Sequence, residues 1–183
     1  MALERLQGLV HRFWFASPLA FEDWTKPTAN EMNANPTNDP HGLIFNLTCA
    51  LDTDGTVFDL TDPEMDDSTS FCQEASDSEP MSDNVEVAYS FFRATDEMKI
   101  NDPDSWNTAH LAFTLLVWRG IEGYAIMSVG EAPDSPIKVG DRLKMARVST
   151  GWASDETGSG ENVRMLQEFA QRGGVNWNYK VEA

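Results

Sequence analysis

The chain has 183 residues and 41 % apolar content, which fits one domain with a real core and excludes global disorder. A net charge of −17 disfavours sequence-specific nucleic-acid binding through phosphate contacts, and docking on anionic membranes. The charge is unevenly placed: residues 22 to 104 hold twenty acids against three bases (Lys26, Arg93, Lys99), while the remainder holds ten of each.

Taken in chain order, residues 1 to 24 read as an N-terminal strand or arm, with HRFWF as its strand candidate. Glu4, Arg5, His11 and Arg12 interrupt any signal-peptide core, so the expectation is a protein folded in a cytoplasm. IFNLTCAL alternates Phe45, Leu47, Cys49 and Leu51 against Asn46 and Thr48, a strand with Cys49 as a buried thiol. From Pro27 to Phe92 there is no Lys or Arg and there are fourteen acids. Within it, residues 52 to 84 read as a long acidic loop or hairpin insertion, with turn chemistry at Asp54-Gly55, Asp62-Pro63 and Glu79-Pro80.

VEVAYSFF then sets Val85, Val87, Tyr89 and Phe91 in one apolar row. A helix follows: Asp102 can cap it, Pro103 suits its first position, and Trp106, Ala109, Phe113, Leu116 and Val117 form its stripe. Arg119 suits its C-terminal end and Gly120 its termination. GYAIMSV, apolar on both faces, reads as a covered central strand. DRLKMARV sets Leu143 and Met145 against Arg142 and Lys144. After a Gly/Ser/acid loop at 153 to 162 comes VRMLQEFA, a further strand candidate. VNWNYKV places Val175, Trp177, Tyr179 and Val181 on one face. The expected fold is therefore mainly β with one flanking helix, a sandwich or barrel in a single domain over residues 1 to 183.

Catalytic and metal-binding patterns were sought in the same residues. Asp52-x-Asp54-Gly55 resembles part of a calcium loop, but Ala50 stands where a first carboxylate belongs and no glutamate closes it. Asp54-Gly55 reads more simply as a hairpin turn. His11, His41 and His110 lack zinc spacing, and no nucleophile elbow, P-loop or dinucleotide glycine pattern is present. With thirty acids, proximity in sequence does not define a glycosidase pair. No enzyme, cofactor or metal is therefore expected. Trp106 and Trp177 fall on apolar stripes, whereas Trp24 and Trp152 sit in or near loops and are candidate interface anchors.

The order of these pieces resembles a known family. WTKPTANEMNA before a strand ending LTCAL, then LLVWRGIEGYAIMSVG, then VGDRLKMARVSTG, resemble segments of siphophage major tail proteins, the tail tube subunits. The resemblance implies a β-sandwich with one helix and strands shared around a hexameric ring. Rings would stack into a tube through which the genome leaves, with tape measure, tail terminator and distal tail proteins as partners. It also implies assembly in the host cytoplasm, a place in the virion tail, no catalytic residues, and DNA that transits without specific binding. On that reading Asp52, Asp54, Asp59, Asp62, Glu64, Asp66, Asp67 and Glu86 are candidate channel or inter-ring acids. Arg142, Lys144 and Arg147, as a basic face, join Trp24 and Trp152 as candidate inter-subunit contacts. Other readings are a capsid decoration or head–tail joining protein, or a calcium- or carbohydrate-binding β-sandwich module.

Overall fold

A computed structural model describes residues 10–33, 43–61, 65–66, 79–80, 84–92, 108–130, 132–156 and 164–183. In chain order these form β1 (Val10–Ala16), α1 (Ala29–Asn33), β2 (Ile44–Asn46), a 3-10 turn (Thr48–Ala50), β3 (Val57–Thr61), β4 (Met65–Asp66) and β5 (Glu79–Pro80). They continue with β6 (Asn84–Phe92), α2 (Thr108–Leu116), β7 (Glu122–Gly130), β8 (Arg142–Thr150), β9 (Ser154–Glu156) and β10 (Arg164–Lys180). The protein is mainly β, with one antiparallel sheet in the order β2-β1-β7-β8-β10-β6-β3 and β9 beside β10.

β10 makes the sheet roll. Its first residues, Arg164 to Glu168, pair with β6, and the rest, from Phe169 on, pair with β8. Strands far apart in the sheet thereby face each other: Phe13 of β1 packs edge-on against Tyr89 of β6 at 5.8 Å, and Tyr89 donates to Trp14 O at 3.3 Å. Segment 44 to 52 nearly closes the roll. It starts paired with β1 and ends with Leu51 bridging Phe91, where Asp52 N–H donates to Ser90 O. The enclosed core contains Phe15, Leu47, Val87, Tyr89, Phe91, Ala125, Met127 and Val148, and α2 covers it with Ala112 and Leu116. Burying each large apolar side chain contributes roughly 1.5–3 kcal/mol.

The outer face of β1, β7 and β8 carries a second cluster, Trp14, Tyr124, Ile126, Leu143 and Met145, with Phe21 and Met32 laid over it. β7 is thus buried on both faces from Gly123 to Ser128, as a covered central strand should be. β6 likewise follows the expected alternation at Val85, Val87, Tyr89 and Phe91, all facing the core.

Several expectations are corrected. Cys49 is exposed, not buried. Asn46 Oδ1 accepts the Thr48 N–H and hydroxyl, at 3.0 and 2.7 Å, and this local bonding ends β2 and winds 48 to 50 into the 3-10 turn. Asp54-Gly55 is not a hairpin turn. Leu51 and Val57 both lie antiparallel to β6, so the chain bulges and resumes its direction; Gly55 takes φ 87° there. VRMLQEFA and VNWNYKV are one strand, β10. Its register slips twice against β8, and Asn178 takes φ 67°. Val175 and Trp177 consequently join the enclosed core while Val181 joins the outer cluster, so the expected single face is split. α2 ends at Leu116 and Gly120 follows in the next turn with φ 84°; the expected cap, Asp102-Pro103, and Trp106 lie outside the described residues.

Candidate functional site

The sequence WTKPTANEMN builds a strap across the outer cluster. Thr28 accepts the Glu31 N–H, and the Glu31 carboxylate accepts the Thr28 N–H and hydroxyl, a reciprocal cap on α1. The same carboxylate takes the Glu22 N–H at 3.0 Å. Burial opposes its charge, yet the Glu22 and Thr28 N–H donors and the Thr28 hydroxyl hold the Glu31 carboxyl below its usual range. Asn33 exchanges two hydrogen bonds with the Ile137 backbone, at 2.8 and 2.9 Å, and Trp24 stacks on Tyr124 at 5.5 Å. Burial, then Glu182, Asp23 and Glu31, raise the Tyr179 hydroxyl above its usual range.

Beside the strap, Arg12 of β1 is only 1 % exposed. Its guanidinium donates to Ser135 O and Oγ, Ser128 Oγ, Val129 O and Asp141 Oδ2. One buried cation thereby holds the turn before β8 against the sheet.

Past the strap, the outer face carries exposed acids. Asp59 on β3 directly opposes Glu86 on β6. On β10, Glu168 opposes Ala88, and Ala170 opposes Ser149 of β8, which opposes Glu122 of β7. Antiparallel partners share a face, so Asp59, Glu86, Glu168 and Glu122 all lie on the outer face, spread over four strands. All four are exposed. Of these four, only Glu122 has a cation partner among the described residues, Arg147 at 3.4 Å.

A second, two-stranded ladder, β4 with β5, follows the β3–β6 pair in register. Thr61 opposes Asn84, and four residues further along each side Met65 opposes Pro80, so β4 and β5 keep the same antiparallel alignment. Asp66 opposes Glu79 there. The acidic insertion is thus, in its described parts, a hairpin. Its base is pinned by Asp52, whose carboxylate meets Arg164 Nε at 2.9 Å and accepts the Asp54 N–H at 3.0 Å.

A profile of phage tail tube proteins matches residues 6–183, nearly the whole length of this β architecture. The chain belongs to the phage tail tube protein family. It is a structural component of the phage tail, and its place is in the virion. No match was found among curated proteins.

The fold disposes the predicted tail tube contacts unevenly. Arg142 and Lys144 share one face of β8, with Lys144 Nζ 3.9 Å from the centre of the Trp177 ring. Arg147 lies on the other face, opposite Tyr124, because β8 pairs with β7 without a bulge. The three therefore form no single basic face. Trp24 packs within its own subunit, whereas Trp152 is 74 % exposed. Asp59 and Glu86 are brought together; Asp52 is neutralised by Arg164; Asp54 is exposed on the bulge. Asp62, Glu64 and Asp67 lie outside the described residues, as do Cys72 and His41. Sequence reading missed Glu168 and Glu122, which belong to near-neutral stretches and join the acidic face only through strand register. The capping pattern Thr28-x-x-Glu31 was the readable signal for α1.

Proposed function

We propose that six copies close into a ring, that rings stack into a tube, and that Asp59, Glu86, Glu168 and Glu122 turn toward its bore. The observation that carries this reading is the convergence of those exposed carboxylates from β3, β6, β10 and β7 on one sheet face. A bore presenting Lys and Arg would bind DNA by releasing its counterions; carboxylates keep the polyanion off the wall as it slides. Screening over about 8–10 Å confines the effect to acids at the surface of the bore.

Ring closure also suits the edge of the sheet. β3 ends the strand order and leaves Leu60 44 % exposed, an edge that pairing with a neighbour would cover. Arg142, Lys144 and Trp152 are the inter-subunit contacts most consistent with their placement. The partners are further copies of the chain, with tape measure, terminator and distal tail proteins at the ends of the tube. The subunit acts without catalysis and without a cofactor.

Electron micrographs of the purified chain over rising concentration test the reading. Uniform hollow rings that lengthen into tubes are expected, and a solution that stays monomeric across the range would reject it.

A further inference from the structure

Exposed large apolar side chains gather at the two ends of the β1-β7-β8 sheet. Leu19, Trp118 and Trp152 lie just past the end of β1, just before β7 and just past the end of β8. These points share one end of the sheet, since Ala16 opposes Tyr124 and Glu122 opposes Ser149. Val129 and Val139 lie at the other end, where β7 finishes and the turn into β8 follows. Trp118, Trp152 and Val139 are 66 %, 74 % and 62 % exposed. Among the described residues, only Leu60 of this exposed set belongs to neither end.

Both ends are held rigidly. At the first, the Thr150 hydroxyl donates to Trp118 O at 2.6 Å and accepts the Ile121 N–H at 2.9 Å, and the Arg119 guanidinium lies 5.5 Å from the centre of the Trp152 ring. At the second, buried Arg12 grips Ser135 and Asp141, Asn33 exchanges two bonds with Ile137, and Asp141 accepts the Lys138 N–H. Val139 therefore stands on a fixed turn. Rigid apolar surface loses little conformational freedom on docking, and aromatic and Arg side chains are the usual anchors of protein interfaces.

Resting on the tube reading, we propose that copies stack along the direction of β1, β7 and β8. The Leu19, Trp118 and Trp152 end of one copy seats the Val129 and Val139 end of the next, and Asp134 of that turn reaches Arg119. Charge supports a second copy as the occupant: Arg119 and Asp134 are both exposed, opposite in sign and without an ion-pair partner among the described residues. The two ends are different surfaces on opposite ends of the same strands, so they join head to tail and generate an open stack, not a closed pair. Contacts at the strand ends also leave the acidic sheet face free to line a bore.

Electron micrographs and sedimentation of the full chain separate stacking from ring closure. Arg119→Asp is expected to raise the concentration needed for tube growth by roughly tenfold or more, with single rings still present and subunit melting unchanged. Asp134→Arg has the same effect alone, and the two changes in one chain restore growth. Val139→Asp, and Trp118→Ala with Trp152→Ala, shorten tubes in the same way. Normal growth of either single charge variant, or no recovery in the double variant, overturns this contact while the tube reading stands. Loss of rings together with tubes also overturns it, since the patch would then lie between neighbours in one ring. A wild-type chain that forms neither rings nor tubes overturns the tube reading itself.

Discussion

Asp59 and Glu86 stand directly opposite each other on adjacent strands, two exposed carboxylates with no cation partner among the described residues. A fold selected only for monomer stability would not retain that pairing, because opposed like charges weaken a strand pair. Glu86→Lys converts the repulsion to attraction. Chemical denaturation is expected to show the subunit stabilised by up to about 1 kcal/mol. An unchanged or lowered midpoint would show that the pair imposes no local cost.

Arg12 should be among the least replaceable side chains. It is enclosed by Ser128, Val129, Ser135 and Asp141, and a Cβ at Gly130 would collide with its guanidinium. Arg12→Met leaves the Asp141 carboxylate facing a lost partner and should cost about 3–5 kcal/mol, read from denaturant midpoints. Gly130→Ala should destabilise through the same contact.

Acid should loosen the strap. The folded-state pKa of Glu31 is depressed, so its contribution is fully present above the unfolded carboxylate value and is lost as pH falls through the lower, folded value. Melting temperatures of wild type and Glu31→Gln should therefore differ most near neutrality and converge below about pH 4. A constant gap across that range would place the role of Glu31 in packing rather than charge.

Reversing charge at Arg142 and Lys144 should impair assembly while leaving the monomer folded. Lys144 lies over the half-buried Trp177 ring, so a modest loss of stability is expected as well, about 0.5–1 kcal/mol for this cation–π contact. Sedimentation of the double variant beside its melting curve separates the two effects, and normal tubes would remove these residues from the interface.

The legible parts of the fold were those whose side chains alternate over a whole strand, as in β6 and β7, where regular pairing on both sides preserves the period. Alternation misled where a local bond overrode it. Asn46 captured Thr48 and turned Cys49 outward, and the slips around Gly173-Gly174 and Asn178 sent Trp177 and Val181 to different faces. The strap was hidden because its partners are remote in sequence, Asn33 reaching Ile137 and Trp24 reaching Tyr124. The acidic character of the site was visible in composition, but its extent was not. Glu168 and Glu122 join Asp59 and Glu86 through strand pairings that one-dimensional charge runs do not encode.

Image reconstruction of assembled tubes at side-chain resolution tests the account most directly. It predicts six-fold rings with Asp59, Glu86, Glu168 and Glu122 exposed on the bore. A bore lined by lysine and arginine, or those four carboxylates on the outside of the tube, would contradict it.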